Sequence, residues 1–135
     1  MEHTADIGLR VYGHDLAELF QNAALGLFDL IAGPDRMEGE NNSEKHFFSI
    51  REENAGELFL KWLRELLFLF SVKRVIFDCF HFKKITETML EAEVRGWKFD
   101  PRRHEGKYEV KAITRHAFNI QQTQDGWIAE VILDI

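Results

Sequence analysis

The sequence has one cysteine, Cys79, so no disulfide can form within the chain. That usage suits a reducing compartment. Long hydrophobic runs are missing too: the longest uninterrupted one is Leu66 to Phe70, whereas a membrane-spanning helix needs about 20 apolar residues. No leader of basic then apolar residues opens the chain, and the expectation is a soluble, cytoplasmic protein with no membrane partner. Positive charge is in deficit, with 17 Lys and Arg against 23 Asp and Glu, a net charge of -6. A free-standing nucleic-acid binder is disfavoured, because phosphate contacts require clustered cations. A basic protein partner or a bound cation fits better. There is no Gly-x-Ser-x-Gly and no phosphate-cradling glycine loop, and Cys79 falls in a strand-like stretch without an evident base. The six histidines, at 3, 14, 46, 81, 104 and 116, contain no i, i+4 pair and have a single cysteine to join them. That pattern argues against zinc.

What is present describes one globular domain over residues 1–135. The chain is 45% hydrophobic with 12 phenylalanines, enough for a real core. Ile7, Leu9 and Val11 alternate with Asp6, Gly8, Arg10 and Tyr12, which predicts a half-buried strand. Asp15 with Glu18 three residues later reads as a helix N-cap and its capping-box partner. The apolar spacing from Leu16 through Phe20, Ala24, Leu27 and Phe28 to Ile31 carries that helix to Gly33-Pro34. Residues 34–46 are polar and read as a loop, the most mobile part of the chain, before a short strand from His46 to Ile50. Asn54 and Glu57 repeat the capping pattern ahead of a second helix. Its stripe is Phe59, Trp62, Leu63, Leu66, Leu67 and Phe70, widened beyond one face by Leu58, Phe68 and Leu69, so a largely buried helix is expected.

Beyond Arg74 the period becomes two. Val75 to Phe82 and Leu90 to Val94 read as strands, and Lys98 to Lys107 as a polar connection. Three more strands are expected at Tyr108 to Thr114, Phe118 to Thr123 and Trp127 to Ile135, with Asp125-Gly126 turning the last hairpin. The fold class is α+β, two amphipathic helices covering one face of a largely antiparallel sheet.

Candidate chemistry lies at the chain ends. If the first and last strands pair, Asp6, Asp134 and the terminal carboxylate of Ile135 converge. Such oxygens repel one another unless a cation sits among them, and all-oxygen ligation suits Ca²⁺, Mg²⁺ or Mn²⁺. Capping aspartates near chain ends are the plainer alternative. His3, beside this cluster, has an ordinary hydrogen-bonding role open to it as well as ligation. Glu109, Lys111, Ile113 and Arg115 share one strand face, read as solvated, from which Lys111 could reach a phosphate or a partner's carboxylate. Phe59, Trp62 and Phe70 read as core.

Several stretches, taken together and in order, resemble the archease family. They are His3-Thr4-Ala5-Asp6-Ile7-Gly8, Asp15-Leu16-Ala17-Glu18-Leu19-Phe20, Trp62-Leu63-Arg64-Glu65-Leu66-Leu67, Glu109-Val110-Lys111-Ala112-Ile113-Thr114, and Gly126-Trp127-Ile128-Ala129-Glu130-Val131 running to Asp134-Ile135. The resemblance covers essentially the whole chain. It implies an accessory protein, not itself an enzyme, of the RtcB-type RNA ligase of tRNA splicing. That ligase uses GTP and metal to join RNA ends, and archease promotes guanylylation of its active-site histidine and multiple turnover. RNA and GTP would thus be met through the ligase. By position the family's metal-binding residues fall on Asp6, Asp134 and Ile135, and its functional lysine on Lys111. Readings from other classes are a stand-alone metal-dependent phosphohydrolase or nuclease, and a chaperone-like binding module.

Overall fold

Alternation at the start of the chain produces strand β1 (Asp6–Gly13), with Ile7, Leu9 and Val11 turned inward. In the computed structural model, residues 5–33, 44–101 and 107–135 are described. Helix α1 (Leu16–Ala32) starts where the Asp15 carboxylate accepts the Glu18 backbone N–H at 2.8 Å. Glu18 reaches back to the His14 N–H at 2.9 Å, one residue before the cap. Two donors that the first turn leaves unsatisfied are thereby paired. Gly33, at φ 82°, ends the helix in a region that favours glycine.

Strand β2 (Glu44–Arg51) begins two residues earlier than the alternation predicts. The remainder of the expected loop, 34–43, lies outside the described residues. Helix α2 (Ala55–Lys73) is capped by Asn54, whose side chain accepts from Glu57 N at 2.9 Å. Strands β3 (Val75–Ile85), β4 (Met89–Lys98), β5 (Ala112–Thr123) and β6 (Gly126–Asp134) complete the order.

The strands form two antiparallel sheets of three, β1-β6-β5 and β2-β4-β3, rather than one sheet under two helices. The α+β class holds. Helix α1 packs on β1 and β3 and so touches both sheets, while α2 packs on β5 and reaches β2, β3 and β4. Trp62 sits fully buried among Phe20 of α1, Phe48 of β2, and Phe80 and Phe82 of β3, with ring centroids 5.3–6.3 Å away. One turn earlier, Phe59 stacks on Phe118 of β5 at 5.8 Å. Each such buried ring contributes roughly 1.5–3 kcal/mol of transfer free energy. The two sheets are joined through these helices.

Three further expectations change. The expected strands Tyr108 to Thr114 and Phe118 to Thr123 are not separate: β5 runs continuously from Ala112 to Thr123, leaving Tyr108 to Lys111 outside it, and its pairing with β6 shifts between Thr114 and Asn119. Ala117 there has φ 54°, the signature of a bulge. The face from Glu109 to Arg115 is not uniformly solvated, because Ile113 is buried under α2, whose Arg64 donates to its carbonyl. Phe68, expected to extend the buried stripe of α2, is 58% exposed beside Val72 at 57%. It lies past the edge of the stripe that the sheets can cover.

Candidate functional site

The ladder between β1 and β6 runs antiparallel from Gly13↔Trp127 to Asp6↔Asp134. Alternation puts Leu133, fully buried, in the core and turns Asp134 away from it. On the other flank of β6, Asp134 is opposite Ala112 of β5. Two backbone bonds continue the ladder past the strand ends: Ile135 N–H donates to Ala5 O at 3.0 Å, and Lys111 N–H donates to Asp134 O at 2.7 Å. Asp6, Asp134, Ile135 and Lys111 are therefore gathered at one end of the sheet. His3 lies outside the described residues.

Like charges directly opposite in a sheet are unfavourable. Here a hydrogen bond shared with Asp6, desolvation and the repulsion of the Asp6 charge hold the Asp134 carboxyl above the ordinary carboxylate value. The Lys111 ammonium pulls the other way. Two carboxylates disposed like this relieve their repulsion by sharing a proton or by sharing a cation. The donor set is all oxygen, which fits a hard divalent ion and leaves room for water ligands. Among the described residues no third His, Cys, Asp or Glu side chain joins the pair.

Beside Lys111 opens a cavity of about 360 Å³, between the C-terminal ends of α1 and α2 and the segment 107–111. Phe70, Arg74, Phe99, Lys107, Tyr108 and Lys111 dominate its wall. Tyr108 N–H and Lys107 N–H donate to Leu30 O and Ile31 O, which closes the end of α1 and sets this wall in place. Sequence reasoning passed over Arg74, Lys107 and Tyr108. The only linear signal was a Lys-Tyr pair followed by Lys111, because Arg74 comes from a distant part of the chain.

A family model described as the archease protein family matches residues 1–135. An archease of Methanosarcina acetivorans is 35% identical over 139 residues, covering all of this chain and 93% of that protein. One from Pyrococcus furiosus is 39% identical over 138 residues, covering 99% of this chain and 95% of that protein. The solution structure of a Methanobacterium thermoautotrophicum protein superposes with a TM-score of 0.77 at 31% identity, covering 100% of this chain and 96% of that one. A Thermotoga maritima crystal structure, described as an archease and "possible chaperone", shares the fold with a TM-score of 0.67 at 20% identity, covering 100% and 94%. With the whole chain matched in sequence and in fold, the protein belongs to the archease family.

Proposed function

We propose that this protein activates an RtcB-type RNA ligase. In this reading Asp6 and Asp134 hold a divalent cation, Ca²⁺, Mg²⁺ or Mn²⁺, with the α-carboxylate of Ile135 as a third donor. The acidic end of the sheet then docks at the ligase active site. A cation held there supplies positive charge to the phosphates of GTP while the ligase histidine is guanylylated. The chain itself contributes position and charge, which carry most of the catalysis in phosphoryl transfer. In this reading it turns over no substrate of its own. Lys111 extends from the same end of the sheet toward a phosphate or a carboxylate of the ligase.

The observation that carries this reading is the facing of Asp6 and Asp134 across the β1–β6 ladder, with Asp134 raised by its neighbour. A repulsive pair at a surface contributes little to the fold, so its presence points to a ligand. The test follows covalent guanylate per ligase over time with and without this protein. Asp6→Ala and Asp134→Ala are expected to abolish the stimulation, and full stimulation by either variant overturns the mechanism. Phosphodiester cleavage by the purified chain with Mg²⁺ or Mn²⁺ would instead establish a hydrolase.

A further inference from the structure

The cavity beside Lys111 concentrates cations on a protein whose net charge is -6. Arg74, Lys107 and Lys111 line it, against a single carboxylate, Glu109. None of the three forms an ion pair with a carboxylate among the described residues. Lys111 feels the Asp134 charge at the strand end, while Arg74 and Lys107 share this wall with Glu109 alone, and cations gathered with so few carboxylates favour an anionic ligand. The same wall is aromatic. Tyr108 is 36% exposed, and Phe99, packed edge-on against Phe70 at 5.6 Å, is partly open.

Arg74 carries a second observation. It ends α2 at φ 54° and ψ 45°, the left-handed conformation that glycine or asparagine ordinarily takes at a helix end. Its backbone is fixed from both sides: N–H donates to Phe70 O at 2.8 Å, and its carbonyl accepts from Phe99 N–H at 2.7 Å. The guanidinium lies over the Phe70 ring, 5.1 Å from the centroid. Strained non-glycine residues held by their surroundings cluster at ligand clamps. A planar cation presented at a fixed angle suits bidentate binding of phosphate oxygens.

A ligand matching this wall carries phosphates for Arg74, Lys107 and Lys111 and a flat ring for Tyr108 and Phe99. The volume is within the roughly 300–1,000 Å³ of small-molecule sites. We propose that the cavity is a nucleotide site, with the phosphates on the three cations and the base against Tyr108. The shared chemistry admits two sources, a free nucleoside triphosphate or the phosphorylated end of an RNA strand. This inference concerns the chain by itself, so it stands or falls separately from the ligase reading.

The test is direct titration of the purified protein with ATP as the probe, followed by calorimetry or fluorescence anisotropy. Tripolyphosphate, adenosine and a short 3′-phosphorylated oligoribonucleotide form the other arms. ATP is expected to bind saturably, with tripolyphosphate and adenosine each at least about tenfold weaker. Arg74→Asn removes the cation while keeping a residue at home in left-handed backbone, and Tyr108→Ala removes the exposed ring. Each is expected to weaken ATP about tenfold or more, with Tyr108→Phe near wild type and circular dichroism unchanged throughout. An oligoribonucleotide binding more tightly than ATP assigns the site to RNA ends, and the reverse to free nucleotides. Absence of saturable binding in every arm, tripolyphosphate matching ATP, or ATP binding unaltered by Arg74→Asn and Tyr108→Ala overturns the proposal.

Discussion

Trp62 of α2 donates its buried indole N–H to the carbonyl of Phe20 on α1, at 2.9 Å. The contact locks the two helices at the point where rings from β2 and β3 also meet. Truncation there removes both packing and a hydrogen bond. Trp62→Ala is expected to cost about 3–5 kcal/mol, seen as a lowered urea midpoint with little change in its slope. Trp62→Phe, which keeps most of the ring volume, should cost less.

Gly96 of β4 has no room for a side chain. A Cβ there would lie 1.8 Å from the Ile76 carbonyl oxygen, a backbone atom that cannot step aside. Neighbouring pairing already shifts between Phe77 and Cys79. Gly96→Ala is therefore expected to destabilise by at least the roughly 1–3 kcal/mol of an overpacked core, read from thermal or urea unfolding. Gly8→Ala, where the nearest neighbour is the end of Ile132 at 3.6 Å, serves as the tolerated control.

The Asp6–Asp134 pair gives opposite responses with and without divalent ions. Ionised and without a cation, the two carboxylates oppose folding, so Asp6→Asn should raise the melting temperature in chelator. Adding Ca²⁺ or Mg²⁺ should raise it for the native sequence by mass action and leave the Asn variant nearly unmoved. Equal shifts in both proteins would remove Asp6 from any cation site.

Glu57 ties α2 to the bulge of β5 through Arg115, which grips both of its carboxylate oxygens. That hydrogen-bonded pairing holds Glu57 below its ordinary value of 4.5. A carboxyl depressed in the fold stabilises above its unfolded value and loses that contribution as pH falls through the lower folded one. Glu57→Gln should be less stable than the native sequence at neutral pH, with the gap closing in acid below 4.5. Salt should shrink it as well, since both groups are solvent-accessible. Urea midpoints across pH and ionic strength check both.

Much of the fold is readable from local sequence. Asp15 with Glu18 and Asn54 with Glu57 mark both helix starts, because a cap is a bond between residues three apart. The Leu90, Ala92 and Val94 alternation and the Asp125-Gly126 turn are equally local. The irregularity at Ala117 was legible only as a gap between two expected strands, because only pairing with β6 shows that one strand runs through it and where the ladder slips. Nor was the exposure of Phe68, because a helix wheel gives the width of an apolar stripe but not how much of it two sheets can cover.

For the site, the sequence by itself determined which residues could bear chemistry: acids at both chain ends, a lysine ahead of the last hairpin, and no nucleophile motif. Their meeting is tertiary. Asp6 and Asp134 come together because β1 and β6 pair across nearly the whole chain, a contact whose partners no local pattern encodes. The cavity is further removed still. Arg74 ends one helix, and Lys107 and Tyr108 bind the end of the other, so three cations reach one wall only after both helices have packed. Composition set the charges; the packing of helix ends against a strand's approach decided which of them face one another.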